Sequence, residues 1–271
     1  MLIYKRFCQL ITFVHCFENN WMRQRIISLL NIIQFQWIKL FSSITIETTA
    51  FCNRKCEYCP NNDKYPNREK GLLEDSLYYS IIEQLSDMKF SGRISPHLYG
   101  EPLLDKRLLA FIQFTREKCS YAQIVVYSNG DFLTSEKMTE LIDAGMDEIY
   151  VTCYDEKNEN LEQLDEEFGK YMSFRYFKYV PKRNKAGLLQ NVEKVRGNMD
   201  PCLRPSSQLV VNWAGDVVLC CNDYYGKLIF GNVSNMKILD IWFSKKYKSV
   251  QSVLSKEGGR GNIDLCKTCD G

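Results

Sequence analysis

The chain has 271 residues, of which 45% are hydrophobic and 13% aromatic, so it can bury a core and is not a disordered segment. Its 35 basic and 33 acidic residues leave a net charge of +2, which argues against the strongly basic face typical of nucleic-acid-binding proteins. Twelve cysteines, several of them clustered, occur in a long chain with no evident cleavable signal peptide. This usage favours metal ligands in a reducing cytoplasm over a secreted disulfide scaffold.

The N-terminal region, residues 1–44, reads as a helical extension. Apolar residues of the segment RIISLLNIIQFQWIKLF recur at helical spacing, at Ile26, Leu30, Ile33, Trp37 and Phe41. Polar residues interrupt the pattern too often for a helix that spans a bilayer. We expect a helix packed on the following domain, with a helix lying on a membrane surface as the alternative.

Strand-like and helix-like segments alternate after this extension. The strand-like segments are SITIETTAF, ISPHLYG, AQIVVYSNG, DEIYVTCYD and FRYFKYV. Between them lie SLYYSIIEQL, a helical stretch through Leu108, TSEKMTELIDAG with Thr134 as its N-cap, and an acidic stretch. The alternation predicts an α/β fold over residues 45–195, a partial (β/α)6 TIM-like barrel of parallel strands. Ligands bind at the C-terminal ends of such strands, where the first cysteine cluster, GEP, SNG and TCYD all fall.

Three cysteines, Cys52, Cys56 and Cys59, lie within eight residues in the segment CNRKCEYCP. A closed structural zinc site uses four ligands and a redox disulfide uses two, so three thiolates indicate a different kind of centre. A cubane iron–sulfur cluster held by three cysteines leaves one iron without a protein ligand. A small molecule with an amine and a carboxylate can bind that iron.

The spacing C-x3-C-x2-C, with an aromatic residue before the last cysteine, resembles the signature of radical S-adenosylmethionine (SAM) enzymes. In that family a reduced [4Fe–4S] cluster cleaves SAM to a 5′-deoxyadenosyl radical, and a flavodoxin- or ferredoxin-type protein supplies the electron. YGEP, SNG and VTCYD are similar to further family elements, although Tyr99 stands where the family has a glycine. The resemblance implies that SAM is bound by Tyr58 at the adenine, Thr152 at the ribose, and Gly100, Glu101, Pro102 and Asn129.

A second group of cysteines lies in the C-terminal region, which we place at residues 196–271. QLVVNWAGDVVLCC predicts a β-hairpin, an amphipathic helix through Trp242 follows, and the tail ends in CKTC. Four thiolates from these segments suit either zinc or an iron–sulfur cluster. The region resembles the SPASM/twitch extension of radical SAM enzymes in its shorter form. That resemblance implies one auxiliary [4Fe–4S] cluster on Cys202, Cys220, Cys266 and Cys269, with Cys221 as the alternative to Cys220.

Three functions are compatible with these features. The first is a radical SAM dehydrogenase that abstracts hydrogen from a polar small molecule, such as a sugar or aminocyclitol, and passes an electron to the auxiliary cluster. The basic segment PKRNKAG offers Arg183 and Lys185 as candidate proton acceptors, or is simply a solvated loop. The second is a ribosomal-peptide maturase that makes epimers, thioethers or carbon–carbon crosslinks. The third is a non-enzymatic zinc or electron-transfer module, which has no need of an open three-cysteine cluster.

Cys153 separates oxidation from epimerisation, because an epimerase needs a hydrogen donor and a thiol can serve as one. Alternate side chains of a strand point to opposite faces. If Thr152 faces SAM, Cys153 should therefore face the surrounding helices and serve packing.

Overall fold

A computed structural model describes residues 29–65, 68–179, 183–189 and 200–270. Its strands are β1 Ser43–Ile46, β2 Arg93–Ser95, β3 Gln123–Ser128, β4 Glu148–Cys153, β5 Met172–Tyr176, β6 Gln208–Val211, β7 Asp216–Val218 and β8 Ile229–Asn232. They form one eight-stranded sheet in the order β5-β4-β3-β2-β1-β6-β7-β8. Strands β1 to β6 are joined by parallel pairing, and β6-β7 and β7-β8 are antiparallel pairs. The sheet stays open, which confirms the predicted partial barrel.

Helices lie between the parallel strands, as the alternating pattern predicts. The helices of the barrel are α1 Asp75–Asp87, α2 Leu108–Lys118, α3 Ser135–Asp143 and α4 Glu159–Phe168. Thr134 caps α3 by accepting a hydrogen bond from the Lys137 amide, as expected for an N-cap. The C-terminal region adds α5 Arg204–Ser207, α6 Ile238–Trp242 and α7 Lys245–Leu254.

The two faces of the barrel sheet differ in polarity, and β4 shows this clearly. Ile149, Val151 and Cys153 are buried in an apolar cluster that includes residues of α3 and α4. Tyr150 and Thr152 point to the opposite face and are half-buried. Cys153 therefore packs against the helices, as the alternation of side chains predicts.

Two predicted elements end elsewhere than expected. The fifth strand is β5 and stops at Tyr176, because Phe177–Tyr179 forms a 3₁₀ turn instead of extending the strand. In the N-terminal extension the helical conformation ends with a π-helix over Ile32–Trp37, so Phe41 does not belong to it. Phe41 is fully buried against Trp242 in the main core. The rest of the predicted extension, residues 1–28, lies outside the described residues.

The C-terminal region continues the barrel sheet. β6 and β7 form the predicted hairpin, and Gly215 in its turn has φ +83°, a conformation that favours glycine. β8 adds a third strand that the sequence pattern did not predict. The predicted boundary near residue 195 falls outside the described residues. No helix in the described part of the chain is long and apolar enough to cross a membrane.

Candidate active site

The first cysteine cluster lies in the loop after β1, at the C-terminal end of the strand, and its backbone is held by local hydrogen bonds. The Cys59 amide donates to the Cys56 carbonyl at 3.1 Å. Asn62 Nδ2 donates to the carbonyls of Cys56 at 2.8 Å and Cys59 at 2.7 Å. The three cysteines are half-buried and free of disulfides. The loop is thus ordered by its own polar groups.

The pKa shifts of the cysteines reflect their burial and the closeness of the three thiols to one another. Burial raises the pKa of Cys52, and the other two cysteines raise it further. Burial also raises the pKa of Cys59, whereas the nearby Lys185 ammonium lowers it. Among the described residues no three acidic, histidine or cysteine side chains surround a single-ion site. The loop offers three free thiols, the number of ligands that the sequence predicts for a cluster with one open iron.

Arg54, inside the cysteine loop, ties the loop to the ends of β3 and β4. Its guanidinium pairs with Asp131 at 2.5 Å and with Asp155 at 3.0 Å. Asn53 adds a bond to the same Asp131 carboxylate at 2.6 Å. Sequence reasoning missed this clamp, for which the signal is a basic residue between the cysteines and an acid just after each strand.

Glu101 joins the GEP and SNG segments to each other. Its carboxylate accepts hydrogen bonds from Ser128 Oγ at 2.8 Å and from the Asn129 amide at 2.9 Å, and burial raises its pKa. The Glu101 amide donates to the Phe51 carbonyl at 2.9 Å, so GEP also contacts the start of the cysteine loop. A Cβ on Gly100 would lie 2.1 Å from the Thr49 carbonyl oxygen, which explains the glycine.

The remaining predicted SAM-binding residues lie around this junction. Asn129 Nδ2 donates to Asn53 Oδ1 at 2.9 Å, and Pro102 begins a short 3₁₀ turn. The Tyr58 ring stacks on Phe177 at 3.6 Å and on Tyr154 at 5.2 Å between centroids. Thr152 Oγ1 accepts a bond from Arg175 Nε at 3.5 Å, on the barrel face of β4. Sequence reasoning did not anticipate the two aromatic partners of Tyr58.

The second cysteine group lines one small cavity in the C-terminal region, which we call the C-terminal cysteine site. Its cysteine members are Cys202, Cys220, Cys266 and Cys269. Burial raises the pKa of Cys266 to about 12 and raises that of Cys220 strongly. Cys221 is not among the residues lining this cavity, and its sulfur accepts a bond from Arg204 at 3.6 Å. The four cysteines named by the resemblance are therefore the ones that the fold brings together.

A bridge through Tyr99 connects the GEP segment to the C-terminal region. The Tyr99 hydroxyl donates to the Cys221 carbonyl at 2.8 Å. The Arg68 guanidinium lies over the rings of Tyr99 and Tyr224 at 4.8 and 4.9 Å and forms a buried ion pair with Glu47. The tyrosine that replaces the family's glycine thus gains a partner in the C-terminal region.

An open cavity of about 140 Å³ lies beside this bridge, and we call it the inter-site cavity. Lys185 lines one side of it, and the segment 222–227 lines another. Lys185 also lies within electrostatic range of Cys59, and Asn222 Nδ2 donates to Cys269 Sγ at 3.6 Å. Arg183, the other candidate of the basic segment, donates to the Asp270 carbonyl at 2.8 Å and so contacts the tail.

Comparison with known proteins agrees with this arrangement. Residues 46–194 match the radical SAM superfamily, and residues 202–270 match SPASM, an iron–sulfur cluster-binding domain. The chain therefore belongs to the radical SAM superfamily and carries a SPASM domain. This membership implies SAM, a catalytic [4Fe–4S] cluster and auxiliary iron–sulfur binding, and the two cysteine sites offer thiol ligands suited to them.

Among its relatives is the S-adenosyl-L-methionine-dependent 2-deoxy-scyllo-inosamine dehydrogenase of Niallia circulans. It is 38% identical over 244 residues, which cover 86% of this chain and 94% of the relative. The crystal structure of BtrN in complex with AdoMet and 2-DOIA is also similar, with a TM-score of 0.79 and 37% identity over 86% of this chain and 94% of that one. Native anSMEcpe with bound AdoMet and the Cp18Cys peptide shares the fold, with a TM-score of 0.57 and 14% identity over 84% of this chain and 88% of that one.

Proposed function

We propose that this chain is a SAM-dependent dehydrogenase that oxidises a secondary alcohol of an aminocyclitol or a similar polar small molecule to a ketone. The observation that carries this proposal is the position of the inter-site cavity. Lys185 lines it and lies within electrostatic range of Cys59 in the catalytic cysteine loop, and Asn222 lines it and donates to Cys269 of the C-terminal cysteine site. A substrate held there would be near the source of the radical and near an electron acceptor. The 38% identity with an aminocyclitol dehydrogenase supports the same reaction.

We propose two sets of cluster ligands, which the positions of the cysteines support. We assign the catalytic cluster to Cys52, Cys56 and Cys59, and the second cluster to Cys202, Cys220, Cys266 and Cys269. The SAM site is formed by Tyr58, Gly100, Glu101, Pro102, Asn129 and Thr152. In this site Glu101 acts as a brace, since its oxygens already accept hydrogen bonds from Leu103, Ser128 and Asn129.

The reaction transfers one hydrogen atom, one proton and one electron away from the alcohol. The bound cofactors would supply a 5′-deoxyadenosyl radical able to take the hydrogen atom from the carbinol carbon, and Cys202, Cys220, Cys266 and Cys269 would hold a cluster able to accept the electron. The hydroxyl proton goes to solvent, so the products are the ketone, methionine, 5′-deoxyadenosine and one proton. The Lys185 ammonium faces the cavity and donates to the substrate oxygen, which stabilises negative charge there as the proton leaves. Arg183 instead holds the tail through Asp270.

A flavodoxin- or ferredoxin-type donor would supply the electron that starts SAM cleavage, in a cytoplasm that keeps the free thiols reduced. The alternative of a peptide maturase has weaker support. The relative that shares 38% identity is named for a small-molecule substrate, whereas the peptide-bound structure shares only the fold.

The test is anaerobic turnover of the reconstituted enzyme with dithionite, SAM and 2-deoxy-scyllo-inosamine deuterated at the carbinol carbon. We expect ketone and 5′-deoxyadenosine in equal amounts, with the deuterium in 5′-deoxyadenosine. Lys185→Met should lower ketone formation about a hundredfold, whereas Lys256→Met, which removes an exposed lysine outside the proposed sites, should leave it unchanged. SAM cleavage without ketone would rule out this substrate class. A variant with Ala at Cys52, Cys56 and Cys59 should retain about half of the iron and cleave no SAM, if the two ligand sets are correct.

A further inference from the structure

Two arginines share the cavity of the C-terminal cysteine site with the four cysteines. Arg204 and Arg260 both line it. Arg260 is only 6% exposed and is anchored by main-chain carbonyls, of Asp200 at 3.0 Å and Cys269 at 3.4 Å. Among the described residues neither arginine forms an ion pair with a carboxylate. A guanidinium stays protonated in proteins, so the site contains two permanent positive charges.

The same site also contains hydrogen-bond donors directed at sulfur. The Asn222 amide donates to Cys220 Sγ at 3.4 Å, and its side-chain Nδ2 donates to Cys269 Sγ at 3.6 Å. Arg204 Nη1 contacts the sulfur of the neighbouring Cys221 at 3.6 Å. Hydrogen bonds to sulfur and the net charge around a cluster are two determinants of its reduction potential.

The two arginines and the hydrogen-bond donors all favour the reduced form of a bound cluster. Four thiolates give a bound cluster negative charge, and uptake of an electron makes that charge more negative. A nearby positive charge therefore stabilises the reduced form more than the oxidised form, and burial, nearly complete for Arg260 and partial for Arg204, reduces screening by solvent. The positive charges also favour binding of the oxidised cluster, but their larger effect on the reduced cluster is what suits an electron acceptor.

We infer that Arg204 and Arg260 raise the reduction potential of a cluster bound in the C-terminal cysteine site. The cluster is thereby able to accept the electron released when the substrate radical becomes a ketone. This inference rests on the ligand assignment and the reaction proposed above. The electron comes from the carbon-centred radical, the proton leaves from its hydroxyl group, and the two arginines keep their charge throughout. Both arginines act on the cluster through their charge and are not assigned any contact with the substrate.

The test measures the potential of the second site alone. The full-length chain with Ala at Cys52, Cys56 and Cys59 is reconstituted, and reduction is followed by electron paramagnetic resonance in a mediated dithionite titration. Arg204→Gln should lower the equilibrium constant for one-electron reduction at least tenfold, which for a one-electron couple corresponds to about 59 mV. Arg204→Lys keeps the positive charge and should change this equilibrium constant less than about threefold. Lys256→Gln removes an exposed charge of the same region and should also change it less than about threefold.

The outcomes separate the inference from the proposed function. If the background variant retains no iron, the ligand assignment is wrong and the inference falls with it. If iron is retained and Arg204→Gln titrates like the background variant, the inference alone is wrong. If Arg204→Gln does not hold a cluster, the same titration of Arg260→Gln decides, with a fall of at least tenfold supporting the inference and an unchanged constant refuting it.

Discussion

Replacing Arg68 with methionine should destabilise the protein strongly, because Arg68 is the counter-charge of a buried carboxylate. The Glu47 side chain is 0% exposed and that of Arg68 only 8%. Removing one partner of a buried ion pair typically costs about 3–5 kcal/mol, since the other charge is left uncompensated. Arg68 also lies over Tyr99 and Tyr224, and each lost ring contact adds up to about 1 kcal/mol. For a chain of this size the melting temperature should fall by roughly 10 °C.

The loss should depend on pH in a defined direction. Burial already raises the pKa of Glu47, and the nearby Arg68 opposes this effect. In Arg68→Met the folded-state pKa of Glu47 rises further, so the folded protein holds a proton that the unfolded chain releases above about pH 4.3. Stability contributed by that proton is present at low pH and is lost as pH rises. The deficit of the variant relative to wild type should therefore be larger at pH 7.5 than at pH 5.

The assay is urea denaturation of the cluster-free protein at both pH values, followed by circular dichroism. The matched control is the double variant Glu47→Gln with Arg68→Met, which removes both charges and should be within about 2 kcal/mol of wild type. A loss below about 1 kcal/mol in the single variant at pH 7.5 would contradict the assignment of a buried charge. A double variant no more stable than the single one would contradict it as well.

Cys220→Ala should abolish iron binding at the second site and Cys221→Ala should leave it intact, because only Cys220 lines that cavity; equal iron loss in both variants would disprove this. Cys153→Ala should keep its normal product, because the thiol is buried in the helix-side core. Deuterium from heavy water at the substrate carbon, lost in Cys153→Ala, would instead indicate epimerisation. Burial lowers the pKa of His97 to about 3, so the folded state binds fewer protons than the unfolded state between about pH 3 and 6.5 and loses stability as pH falls through that range. The free energy of unfolding of His97→Gln should therefore fall by about 2 kcal/mol less than that of wild type when the pH is lowered from 7.5 to 5. An equal fall in both proteins would refute this.

Local patterns in the sequence predicted much of the barrel and the place of the first cysteine cluster. Parallel strands and crossover helices have distinct periodicities, so the alternation and the Thr134 N-cap could be read directly. The fifth strand was placed too far along because the aromatic residues of FRYFKYV favour a strand, although Phe177–Tyr179 forms a 3₁₀ turn. Local composition could not decide where β5 ends.

The class of chemistry could be predicted from local sequence, because cluster ligands on one short loop must be close in space whatever the rest of the chain does. Which residues act together across the two regions depends instead on long-range contacts. β6 pairs in parallel with β1, with Ser43 opposite Gln208. This pairing places the C-terminal cysteine site beside the barrel. The bridge from Tyr99 to Cys221 and the two arginines of the cavity depend on that placement. Contacts between residues so far apart in the chain are fixed by burial and strand pairing, and no local spacing encodes them.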